Sequence, residues 1–312
     1  MVDLNLAKVN KIFIFGIFLI VSFWSLTYGA TLKKQQYRAL IFYYDQPDSL
    51  LVNELIQKID RPLQRIEGLF HEALDVPVSV RLTKSDKEFE GFLYNQVPEW
   101  SQAVALPQQR MVILKLADAE QIKKSPQILI HELVHILLYD FLQGAYLPVW
   151  LNEGMADYFS EGGLSFEKKI VLAQAMVQKK IIDLMSIDSL LKMKAPQARL
   201  AYVEAQSAVE FMAKQFGDQR LIELLKNIRH QKNFHKAFRF TFGFDLLDFE
   251  IQWNEFIKQK YRWLVLLKFE EWIFALSGLL FLIAVVVVYL RNRKKLKTLS
   301  EEDQDDFIDG GT

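Results

Sequence analysis

His131-Glu132-Leu133-Val134-His135 sets two imidazoles and a carboxylate in a segment that is otherwise apolar on nearly every side. Ile128 to Ile130 precede the group and Ile136 to Leu138 follow it. On a helix, residues four apart share a face, so both imidazoles can reach one point in space. Left unsatisfied, such groups cost roughly several kcal/mol to bury. A zinc ion satisfies them: the imidazoles bind it, and Glu132 holds the water that becomes a nucleophile. The pattern predicts a helix that starts at Ser125-Pro126 and stops at Gly144.

Downstream, Trp150-Leu151-Asn152-Glu153-Gly154-Met155-Ala156-Asp157 reads as a second helix, with Pro148 in its first turn and Gly162-Gly163 at its exit. Glu153 and Asp157 are four apart and share a face. Glu153 completes a His/His/Glu ligand set and leaves the fourth position to water. Asp157 is then placed to accept the spare N–H of a zinc-bound imidazole. Gly154 is expected to let the two metal helices pack closely.

Together these residues resemble the gluzincin metallopeptidases, in particular the bacterial peptidase MA-like family. The resemblance implies zinc held by His131, His135 and Glu153, with Glu132 as general base and Asp157 behind an imidazole. It also implies an α+β fold of the thermolysin-like zincin kind. Such a fold has a small N-terminal mixed sheet, two metal-binding helices and a helical C-terminal half, followed here by one transmembrane helix. The order of elements from about Tyr37 to Trp253 agrees with it. In gluzincins, a strand shortly before the metal helix forms an edge that pairs with extended substrate, and Met111 to Lys115 stands in that place. Tyr202, opening the helix after the metal pair, matches the family's oxyanion donor; it is otherwise a tyrosine packed on the helical core. His230 and His235 are rivals for the donor role, and His71 reads as structural.

Competing zinc families fit worse. A metzincin needs glycine at 138 and histidine at 141, where this chain has Leu138 and Phe141. Deformylase-like enzymes use a cysteine ligand, and the chain has no cysteine. The Gly-x-Met-Glu-Asn segment of gluzincin aminopeptidases is missing too, which favours an endopeptidase.

Elements that must position the site can be read around it. Arg38 to Tyr44 and Val76 to Leu82 read as strands, and Ser49 to His71 as an amphipathic helix. Helical patterns follow at Phe166–Lys180, Arg199–Gln215, Asp218–His230 and Asp245–Trp263. The expected organisation is a signal peptide or N-terminal anchor at 1–30 and the N-terminal α/β part of a peptidase domain at 31–125. The metal-binding and helical part follows at 126–265, then a transmembrane helix at 272–290 and a basic, then acidic, tail at 291–312.

Lys8 and Lys11 precede an apolar run from Ile12 to Leu26, and Tyr28-Gly29-Ala30 supplies a small-residue cleavage site. Trp272 to Leu290 is a 19-residue stretch without a charge, long enough for a bilayer core of about 30 Å. Arg291, Arg293, Lys294, Lys295 and Lys297 follow it directly, which argues for a cytoplasmic C-terminus. The expected location is a bacterial plasma membrane, with the catalytic domain extracytoplasmic (periplasmic).

Lys+Arg and Asp+Glu are equal at 38 each, so no bulk field recruits nucleic acid. The lack of cysteine excludes disulfides and thiolate chemistry. The expected partners are a peptide or protein substrate and the lipid bilayer, the cofactor is Zn2+, and the reaction is zinc-assisted amide hydrolysis. The alternative is a membrane-tethered zincin-like binding or scaffold protein without turnover. Against it, a purely structural metal site has no need of Glu132.

Overall fold

The computed structural model describes residues 32–70, 76–93, 101–187, 195–267 and 269–309. The segment 1–30 and His71 lie outside the described residues. Five strands form one mixed sheet: β1 (Leu32–Tyr37), β2 (Leu40–Asp45), β3 (Val78–Thr83), β4 (Ala103–Leu106) and β5 (Met111–Lys115), in the order β1-β2-β3-β5-β4. The inner pairs β2/β3 and β3/β5 are parallel, and the outer pairs β1/β2 and β4/β5 antiparallel. Strict alternation aims Leu40, Phe42 and Tyr44 of β2, and Val78, Val80 and Leu82 of β3, at one core. Helix α1 (Ser49–Leu69) covers that face, burying Val52, Leu55, Ile56, Ile59, Leu63 and Ile66 at helical spacing.

Met111–Lys115 is not the edge that its position suggested. It lies between β3 and β4, and Val112, Ile113 and Leu114 are all buried. Val112 and Leu114 belong to the main core, while Ile113 meets Phe89 of α2 (Asp86–Leu93) on the opposite face. A strand covered on both faces carries a continuous apolar run, and that run marks an interior strand. Among the described residues, the edge on that side of the sheet is β4. Its four residues, two of them alanine, carry too little β signal to stand out in sequence.

Helix α3 (Ala119–Leu142) begins six residues before the expected Ser125 start. Asp118 caps it by accepting the Gln121 N–H at 2.8 Å, and the Gln121 side chain accepts the Ala117 N–H at 2.8 Å. Pro126 therefore sits inside the helix, with no N–H to offer the Ile122 carbonyl. The Ser125 hydroxyl donates to that carbonyl instead, at 2.8 Å, so the turn survives. Helix α4 (Val149–Glu161) starts after Pro148 and closes at Gly162, whose φ of 77° suits glycine.

The C-terminal half is helical: α5 (Phe166–Val177), α6 (Ala195–Phe216), α7 (Asp218–Gln231), α8 (Phe234–Phe242) and α9 (Leu246–Tyr261). Of these, α8 was not anticipated. Trp150 of α4 is buried among them, stacked on Phe249 and edge-on to Phe234. Gly154 does permit a close approach, but to α6 rather than to α3. A Cβ there would lie 2.4 Å from the Ala205 carbonyl oxygen.

Glu204, on α6, has no solvent exposure, and both its carboxylate oxygens lie 3.2 Å from the Ile182 N–H. Burial pushes its pKa up to about 8, against the opposing pull of that hydrogen bond. The folded state thus keeps a proton that the unfolded chain releases near 4.5. Its stabilisation is complete below that value and is lost as pH rises toward 8. Glu204→Gln is expected to flatten this dependence. Between mildly acidic and mildly alkaline pH the variant should gain on the parent by on the order of a few kcal/mol, read from unfolding midpoints.

After α9, a 3-10 segment (Arg262–Leu267) leads into α10 (Phe269–Asp309). Its stretch Ile273–Lys295 has a mean hydropathy of 2.9 and none of it is buried. Among the described residues it is the one helix long and apolar enough to cross a membrane.

Candidate metal centre

Helices α3 and α4 bring three acceptor atoms to one point. His131 Nε2 and His135 Nε2 are 3.1 Å apart, and each lies 3.7 Å from Glu153 Oε2. Ligands held at 2.0–2.2 Å around a tetrahedral ion must be separated by about 3.4 Å, and the triangle matches that spacing. The far side of each ring is also engaged. His131 Nδ1 meets Asp157 Oδ1 at 3.0 Å, and His135 Nδ1 meets the side-chain oxygen of Asn152 at 3.2 Å. Both outer partners are acceptors, so each Nδ1 carries the proton and each neutral ring turns its Nε2 lone pair inward. Two lone pairs and a carboxylate oxygen facing one another repel unless a cation lies between them. The residues fit a divalent metal with imidazole and carboxylate ligands.

A proton competes with a cation for this site. Burial opposes the charged form of His131, yet Asp157 and Glu153 outweigh it and hold its pKa well above the usual imidazole value. Burial likewise works against the Glu153 and Asp157 carboxylates, but the imidazoles beside them win and both pKa values fall. Behind Asp157 sits Lys168 of α5, 3.4 Å from Oδ2, 2.7 Å from Glu161 Oε1 and 2.7 Å from the Gln206 side-chain oxygen. Gln206 returns a bond to Glu161 Oε2 at 3.1 Å, closing the network. One ammonium thus offsets two carboxylates and holds the Asp157 oxygen turned away from His131, leaving Oδ1 to the ring.

The three converging residues open into a groove of about 890 Å³ that also takes in Glu132, Asp157 and Tyr202. Along α3 its lining runs from Gln127 and Ile128 through His131, Glu132, His135 and Tyr139 to Leu142. Opposite lie residues 101–105 and Pro107, on edge strand β4 and its flanks. Lys115 N–H bonds the Gln102 carbonyl at 2.9 Å, which sets the ladder's alternation. By that alternation, the backbone groups of Ala103 and Ala105 point outward. The Ser101 hydroxyl takes the Ala103 carbonyl at 2.7 Å. Ala105 leaves its N–H and C=O toward the open edge.

The sequence matches a known family: a family model described as the peptidase MA superfamily covers residues 61–259. The chain belongs to that superfamily. Its gluzincin-like peptidases are typically metal-dependent. A comparison with curated proteins found no match.

All six sequence-derived site residues of this peptidase MA chain meet in the groove. Tyr202 is half-buried there, and burial, then Glu153, Asp157 and Glu132, push its pKa upward, so its hydroxyl keeps its proton. His230 and His235, the rival donors, are exposed and do not line the groove. His235 packs edge-on against Phe234 instead. Sequence reasoning missed Asn152 and Lys168. A polar residue directly before Glu153 in an apolar helix was a usable signal for the first. Nothing in the sequence pattern pointed to the second.

Proposed function

We propose that the chain is a membrane-tethered zinc metallopeptidase on the thermolysin-like zincin plan, cutting peptide bonds of extracytoplasmic proteins or peptides. The observation that carries this reading is the convergence of His131 Nε2, His135 Nε2 and Glu153 Oε2 beside Glu132 in one open groove. When bound, zinc supplies Lewis acidity, polarising the scissile carbonyl and lowering the pKa of water. Glu132 takes that water's proton and passes it to the leaving nitrogen. The Tyr202 hydroxyl, kept protonated, donates to the carbonyl oxygen as negative charge builds there. Asn152 and Asp157 fix the two rings in the tautomer that leaves Nε2 free to bind. Extended substrate adds to β4 through the Ala105 backbone, which supplies register without side-chain specificity. The basic run after the apolar stretch of α10 supports a cytoplasmic C-terminus and a catalytic domain on the opposite side.

The test is turnover of an unstructured protein by purified full-length chain. Activity should vanish on chelation and return with zinc. Stoichiometric zinc without turnover of any extracytoplasmic protein would instead favour a binding or scaffold role. Within the enzyme reading, Tyr202→Phe should lower kcat by about 10²-fold with little change in KM, in steady-state assays.

A further inference from the structure

Three lysines from three helices meet beside the root of the apolar helix. Lys169 of α5, Lys214 of α6 and Lys260 of α9 lie near one another, and the Lys214 and Lys260 side chains are in contact. The acid that reaches them is Glu210, only 5% exposed, which is engaged by Lys214 and accepts the Leu164 N–H. One sunken carboxylate is therefore set against Lys214 and Lys260, and Lys169 adds a further positive charge beside Lys260. Lys260 Nζ also lies 4.8 Å from the Phe256 ring and 5.3 Å from the Tyr261 ring, which eases part of the repulsion.

The cluster lies within a short stretch of chain from α10. Tyr261 and Leu264 are each 3% exposed, so the 3-10 segment is pinned to the domain core. Four residues, 265–268, separate Leu264 from Phe269, the first residue of α10. Even fully extended they reach about 18 Å at most. Between 256 and 268 the chain carries Lys258, Lys260, Arg262 and Lys268 and no acid. Glu270 and Glu271 follow in the first turn of α10, where a helix N-terminus favours them. Trp263 is 55% exposed and Phe166, which opens α5 three residues before Lys169, is 53% exposed. Clustered cations with exposed aromatics, held at the edge of a membrane span, have the composition of an interfacial contact.

We propose that Lys169, Lys214, Lys260, Arg262 and Trp263 form a face that docks on anionic phospholipid headgroups of the bilayer crossed by α10. The docking holds the catalytic domain flat against the membrane. It rests on reading α10 as a transmembrane helix and is independent of zinc and turnover.

The chain has no cysteine, so Trp263→Cys carries a single fluorophore. Full-length labelled protein is placed in nanodiscs of phosphatidylcholine alone or mixed with phosphatidylglycerol, and quenching by acrylamide is read. Quenching should be roughly threefold weaker in the anionic discs. Adding Lys169→Gln and Lys260→Gln should restore it while leaving the Lys214–Glu210 pair intact. Equal quenching in both discs would overturn the proposal, as would protection that survives the lysine substitutions. Equal protection in neutral discs on adding inorganic phosphate would assign the cluster to a free anion and overturn it too. Failure of the chain to enter discs would overturn the membrane reading along with the docking face, whereas peptidase activity is decided separately.

Discussion

Glu132→Gln should keep its metal and lose hydrolysis by about 10³-fold, the range a positioned general base contributes. Glutamine matches glutamate in size but accepts no proton, and Glu132 is not among the three residues whose ligand atoms converge. His131→Ala removes one corner of the triangle and strands the Asp157 acceptor facing it, so it should lose metal and activity together. Metal content by atomic absorption, measured beside turnover of an unstructured substrate, separates the two variants. Full activity in purified Glu132→Gln protein would end the zincin mechanism for this chain.

Gly154→Ala should destabilise the fold by about 3 kcal/mol, a large effect for one methyl group. The added Cβ would meet the Ala205 carbonyl oxygen at 2.4 Å and its carbon at 2.7 Å, and Val209 Cγ2 at 2.8 Å. Trimming Val209 to alanine should not rescue the variant, because the nearest obstruction is backbone and has no rotamer to escape into. Helices α4 and α6 must part, and Glu153, one residue away, must move with α4. A lowered unfolding midpoint should therefore come with weaker zinc affinity in a competition assay against a chelator.

The candidate site residues were legible in sequence because their types are costly to bury. Two histidines and a glutamate in an apolar helix demand an explanation, and Glu153 and Asp157 at helical spacing supply the rest. The framework was less legible wherever tertiary contacts decide. Ser125-Pro126 looks like a helix start, but the real cap at Asp118 lies earlier and the Ser125 hydroxyl repairs the break at Pro126. Met111–Lys115 looks like the substrate edge by position, yet α2 covers its second face and β4 pairs beside it. Gly154 announces a close approach without naming the neighbour, since Ala205 lies 51 positions away along the chain. Lys168 reaches Asp157 and Gln206 only because α5 folds back over α4 and α6.

The groove beside α3 also bears on what form its substrates must take. From Ile128 to Leu142 it follows 14 residue steps of helix, about 21 Å, or about six residues of extended chain. A folded domain offers six consecutive residues in that form only at exposed loops and edge strands, and its helices and inner strands must first be released. If the groove takes extended chain as proposed, turnover of a substrate should depend on how often such a stretch is exposed. A peptidase working this way would respond to the conformational state of its targets and cut compactly folded proteins slowly.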